Sequence, residues 1–270
     1  MVIPLSIIAL VRPSVSQPIC YEQPLNERAR ALLRLEFLFQ QVDHAMAGDS
    51  TGDSRAALQG LFDILALTGR NEFKKELLKE LERHAATLGR LRQSPDVDAL
   101  ALSDVLVEIG DVIRQIHRTN SLALDIVRQN EFLGVAQKRF QVPGGACQFD
   151  LPALHYWLQQ ELEVRNRHLR EWLAPFAPMR EAVFLVLRLI RDSATLQPEM
   201  AVNGFFQRAL DANAPNQLIR VWLPAEESRF PEISGGRHRF TIRFLEQPDP
   251  NHRAVASSAS VAFDLACCVI

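Results

Sequence analysis

The stretch SGGRHRFTIRF, Ser234 to Phe244, holds Arg237, His238, Arg239 and Arg243 and no carboxylate. Guanidinium forks bind carboxylates and phosphates through paired, charge-assisted hydrogen bonds. A cluster of this kind is chemistry for gripping an anion. Its spacing adds a direction. Phe240, Ile242 and Phe244 fall on one parity, while Arg237, Arg239, Thr241 and Arg243 fall on the other. A β-strand has a side-chain period of two. The stretch therefore predicts a strand with an apolar face for a core and an arginine face for an acidic partner. The simpler reading of that outer face is solvated surface charge.

Residues for covalent or metal chemistry are not assembled in the same way. The chain has no GxGxxG, GxxxxGK[ST], HExxH or GxSxG. The glycine turns PGGA and SGG lack the lysine or the following helix that phosphate binding needs. Cys147 and His155, eight residues apart, could form a thiol–imidazole pair; the simpler reading is an inert cysteine and a surface histidine. The four cysteines, Cys20, Cys147, Cys267 and Cys268, include no CxxC pair, so neither zinc nor a redox motif is signalled. Reduced thiols are expected. No catalytic residue, metal ligand or cofactor is predicted, and the protein is not expected to be an enzyme.

Composition narrows the partner. The chain has 270 residues, is 47% hydrophobic and carries a formal net charge of −2 with a pI near 6.4. That balance argues against a protein coated in basic charge for nucleic acid and favours a small acidic partner for a local arginine row. No apolar run reaches the ~20 residues of a membrane span; AVFLVLRLI is short and broken by Arg188. The N-terminal run is interrupted by Pro4 and lacks a basic flank, so residues 1–18 read as a flexible leader. The terminal CCVI has the C-a-a-X form but no upstream basic residues, and reads as a strand end.

The elements that must position these residues follow from periodicity. Asn26 is placed to cap a helix over NERARALLRLEFLFQQV, with Arg30 and Arg34 on one face. AGDSTGDS reads as a polar loop, with a second helix starting at Ser54 and stopping near Gly69. Amphipathic helices follow from Asn71 and over SDVLVEIGDVIRQIHR; the stretch from Ser121 to Lys138 continues helical in one or two pieces around Gly134. VPGGACQFD reads as a turn and a short extended segment near 140–149, with Asp150 and Pro152 opening another helix. Pro178 opens MREAVFLVLRLIRDSA, apolar on most sides and so expected to be buried. Beyond Gln197 the pattern changes to short segments such as LIRVWLP, HRFTIRFL and SVAFDLAC, bounded by Pro, Gly, Asn and Asp. The expected fold is α+β: an N-terminal helical bundle domain over 26–197 and a smaller antiparallel β-strand domain over 198–270, with 19–25 a candidate to join it.

Several of these stretches together resemble the ZapD family of bacterial cell-division proteins, also called YacF-like. They are YEQPLNERARALLRLEFLFQQ, FKKELLKELER, VPGGACQFDLPALHYWL, LRLIRDSA with NGFFQ behind it, FPEISGGRHRFTIRF and the terminal FDLACC. The resemblance runs in order from about Tyr21 to Cys268. It implies a non-enzymatic, cytoplasmic homodimer with a helical and a β-strand domain. Such a protein would bind the C-terminal tail of the tubulin-like FtsZ and bundle its filaments at the mid-cell division ring, without nucleic acid or membrane insertion. The basic residues implied in tail binding fall here on Arg34, Arg70, His155, Arg239 and Arg243; strand parity adds Arg237. The alternative is a nucleic-acid or other acidic-ligand module using the same strand face. Three features depart from the family pattern: the leader, Val269–Ile270 beyond the double cysteine, and Glu131 where relatives tend to carry positive charge.

Overall fold

The computed structural model of the chain describes residues 17–270 apart from 70, 94–96, 119–120, 212 and 237. The structure is α+β, with helices first and antiparallel strands last. It divides into two compact units. One comprises residues 26–193 with Val269–Ile270, and the other residues up to Leu25 together with 194–268.

The helical unit contains α1 (Glu27–Ala47), α2 (Thr51–Thr68), α3 (Asn71–Arg90), α4 (Ala99–Arg118), α5 (Ser121–Gln129), α6 (Glu131–Phe140), α7 (Pro152–Leu158), α8 (Leu162–Leu173) and α9 (Ala177–Asp192). Asn26 caps α1, its side chain accepting from the Ala29 N–H at 2.8 Å. α9 is the central helix. It packs on α1, α3 and α4, and Ala182, Val183, Val186, Leu187 and Ile190 are all buried. Pro178 lies in its first turn, where a missing N–H costs nothing.

Four local expectations are corrected. α2 starts at Thr51, not Ser54, because Ser50 and Asp53 form a reciprocal capping box. The break in the α5–α6 region falls at Asn130 rather than Gly134, since the Asn130 side chain accepts from the Leu133 N–H at 3.0 Å and restarts the helix. Residues 141–150 are consecutive turns, not an extended segment: the N–H groups of Val142, Gly145 and Cys147 each close a tight turn on the carbonyl three residues back. Asp150 does not cap α7; Leu151 occupies that position without a side-chain cap, and the Asp150 carboxylate accepts instead from the Cys147 thiol at 3.5 Å. The leader expected over residues 1–18 lies, for 1–16, outside the described residues.

The strand unit is two packed sheets. The first has the order β1 (Ile19–Pro24), β4 (Asn216–Leu223), β8 (Val261–Val269), β2 (Gln197–Ala201). In the second, β6 (Arg239–Glu246) lies between β3 (Phe205–Ala209) and β5 (Arg229–Gly235), with the short β7 (Val255–Ala256) also paired to β6. One buried cluster joins the sheets. Ile219, Val221, Leu223, Val261, Phe263 and Leu265 enter from the first, and Phe240, Ile242 and Phe244 from the second.

Candidate functional site

β6 is a strand because its sequence alternates. Phe240, Ile242 and Phe244 are at most 1% exposed, and Phe244 packs against Phe263 of the facing sheet with ring centroids 5.2 Å apart. The other parity faces outward, with Arg239 and Arg243 exposed and Thr241 half-buried. At the start of the strand the Gly236 N–H donates to the Arg239 carbonyl at 3.0 Å. Gly235 lies opposite Phe240, and a Cβ there would meet the terminal methyl of Leu25, so that side chain would have to shift.

On the opposite edge β3 is set by Asn203–Gly204. Both residues have positive φ, 52° and 66°, and Val202 bridges to Phe205. This is a two-residue turn of the kind Asn-Gly favours. The turn joins β2 to β3; in the separate β3–β6 pair, Phe205, Gln207 and Ala209 stand opposite Arg243, Thr241 and Arg239. On β5, Glu232 stands opposite Arg243 and Ser234 opposite Thr241.

The arginines of this unit differ in their pairing. Arg208 is ion-paired with Glu199, Arg220 with Glu22 at 2.8 Å and Arg229 with Glu227 at 2.7 Å. Arg220 also lies over the Trp222 ring, 4.4 Å from its centroid. Arg239 and Arg243 form no ion pair among the described residues. Two guanidinium groups on a solvent-facing strand, without internal carboxylate partners, are free to accept an external anion.

The other predicted residues divide as follows. Arg34 is exposed on α1; one turn earlier Arg30 pairs with Glu27 at 3.2 Å, whereas Arg34 has no ion-pair partner among the described residues. His155 is exposed on α7, whose Leu154, Trp157 and Leu158 are buried. α1 and α7 both pack on α2. Arg70 and Arg237 lie outside the described residues. Arg239 and Arg243 are thus brought onto one strand face, and Arg34 and His155 belong to the helical unit. The pairing of Cys147 with His155 is replaced by the contact of that thiol with Asp150.

Glu232 adds to what the sequence suggests, and the place of Glu131 is explained. Glu232 tempers the charge beside Arg243; its place in FPEISGG gives no sign of this until the β5–β6 register is known. Glu131 is the first residue of α6, where the helix dipole favours an acid. Its departure from a basic pattern therefore has a structural reason.

Comparison with known proteins identifies the lineage. The sequence model of ZapD, described as a cell division protein, matches residues 33–243. Cell division protein ZapD of Methylococcus capsulatus is 43% identical over 252 residues, covering 93% of this chain and 98% of that protein. ZapD of Dechloromonas aromatica is 38% identical over 250 residues, covering 93% and 99%. ZapD of Nitrosomonas europaea is 36% identical over 250 residues, covering 93% and 95%. With matches of this extent over both units, the chain belongs to the ZapD family of cell division proteins.

Proposed function

We propose that this protein binds the C-terminal tail of FtsZ through the outer face of β6 and, as a homodimer, crosslinks FtsZ filaments at the mid-cell ring. The role is non-enzymatic and cytoplasmic. The observation that carries the reading is the difference in pairing. Arg239 and Arg243 have no ion-pair partner among the described residues, while Arg208, Arg220 and Arg229 are each held by a glutamate. A flexible peptide bearing carboxylates supplies the missing partners. Arg34, Arg70, His155 and Arg237 are the further basic groups assigned to the tail. A dimer with one tail site per subunit joins two filaments, and the many tails on a polymer supply avidity from individually weak contacts.

The test reverses charge at Arg239 and Arg243 together and measures tail-peptide affinity by fluorescence anisotropy, with circular dichroism as a folding control. Charge-assisted, partly desolvated hydrogen bonds contribute about 1.5–3 kcal/mol. The double variant is expected to bind about tenfold more weakly or worse, and wild-type binding should weaken with salt. Thr241→Ala, on the same face, should change little. In sedimentation with polymerised FtsZ, the protein should pellet with the full-length polymer and stay in solution with the tailless form. A folded double variant that binds as tightly as wild type moves the site off this strand.

A further inference from the structure

The outer face of the second sheet is not uniformly polar. Around Arg239 and Thr241 its neighbours are Ala209, Gln207 and Ser234. Around Arg243 the character changes. Phe205, its Cα partner, is 43% exposed. Two residues further along the same face, Leu245 stands between Phe230 and Ala256, and Leu245 and Phe230 are only half-buried. Apolar surface therefore begins where the arginine row ends. Phe205 opens β3 directly after the Asn203–Gly204 turn and stands on the outward parity of the β3–β6 pair. Aromatic side chains beside arginine are enriched in binding hot spots.

From this grading we infer that the ligand of the β6 face is an extended peptide that carries a large apolar side chain as well as carboxylates, and that Phe205 with Leu245 receives the apolar group. The inference rests on the tail-binding reading and adds its specificity. Charge complementarity sets the direction of the peptide. Glu232 opposes Arg243 across the β5–β6 pair, so a carboxylate is drawn more strongly to Arg239. At about 3.4 Å per residue, Arg239 and Arg243 stand ~14 Å apart along the strand. An extended peptide spanning that distance places its carboxylate and its apolar residue about four positions apart. The same combination recurs in the helical unit. Arg34 and Phe37 are one helical turn apart, and Phe37 is 58% exposed.

The experiment measures Kd of the FtsZ tail peptide against salt for wild type, Phe205→Ala, Phe37→Ala and Arg239→Glu, each checked for folding by circular dichroism. Because both phenylalanines are exposed, the alanine variants remain folded. Phe205→Ala is expected to weaken binding about fivefold with the slope of log Kd against log salt unchanged. Arg239→Glu should weaken binding and flatten that slope. Phe37→Ala should follow Phe205→Ala if the helical unit uses the same chemistry. Wild-type affinity in Phe205→Ala with weakened binding in Arg239→Glu overturns the apolar subsite and leaves the arginine reading standing. Wild-type affinity in both overturns the arginine reading, and the subsite with it.

Discussion

Glu80 of α3 is 1% exposed and carries a carboxylate. Burial pushes its pKa up, but the hydrogen bonds from His84 and Arg83 and the charges of Arg83 and Arg28 outweigh it and hold the carboxyl down at about 2. His84 lies beside it, Nε2 3.3 Å from Oε1. A carboxyl whose folded pKa lies below its unfolded value stabilises the fold above the unfolded pKa, and that stabilisation is lost as pH falls toward the folded value. We predict that Glu80→Gln costs about 3 kcal/mol at pH 7, because it leaves two guanidinium groups without their shared partner. Most of the difference from wild type should be gone by about pH 2.5. Urea unfolding at a series of pH values tests this, and a pH-independent difference would show that Glu80 acts through packing. Only part of this cluster is visible in the sequence: Arg83 and His84 follow Glu80 at helical spacing, but nothing local points to Arg28 or to the burial. Arg28 and Glu80 are 52 residues apart, and helical periodicity places Glu80 with Glu76 on the wet side of the apolar stripe, whereas Glu80 is buried. Arg165 is similar. It is 5% exposed and donates to Ser54 Oγ, 111 positions away, and to the carbonyls of Asp49, Ser50 and Gln160. Side-chain pairing of this kind has no local period to betray it.

Elements were more legible than residue pairs, because their signals are local. In β6 one parity is buried and the other faces outward, and the proposed function assigns stability to the first and tail binding to the second. Phe240→Ala removes a ring that is 1% exposed and should cost about 3–5 kcal/mol, lowering the denaturation midpoint. Charge reversal at Arg239 and Arg243 should leave that midpoint nearly unchanged while weakening the tail contact. A large loss of stability in the arginine variant would mean that the outer face is packed rather than presented. The alternation that predicts this strand is contained in the eight residues Arg237–Phe244, and the Asn26 cap in four. The α2 boundary was displaced because Ser50 and Ser54 are both plausible caps, and only Asp53 reaching back to Ser50 decides between them. At 141–150 the Pro-Gly signal identified a turn but not that the turns would continue for ten residues. The direction of the arginine face was therefore readable, whereas Phe205 and Glu232 at its border required the strand register.

At the scale of the whole molecule, crosslinking requires more than one tail site per particle. Light scattering at micromolar concentration should give about twice the 30.5 kDa chain mass, and a species at the chain mass alone would count against bridging by a dimer. The balanced net charge of −2 keeps long-range attraction to polyanions weak, so the proposed tail contact would depend on the local arginine row. Among the described residues no helix is long and apolar enough to cross a membrane. The chain's path has a consequence for synthesis. The strand unit takes β1 from before the helices and its other strands from after them. Ile19 pairs with Leu223 and Pro24 with Leu218, so β1 waits about 200 residues for its partner. At ~5–20 residues per second, the ribosome exposes β1 some 10–40 seconds before β4 exists. During that interval the helices emerge in order and can pack on one another. Both sheets, the second of which carries Arg239 and Arg243, close only near the end of translation, so an interrupted chain can hold most of the helical unit and still lack the face proposed to bind the tail.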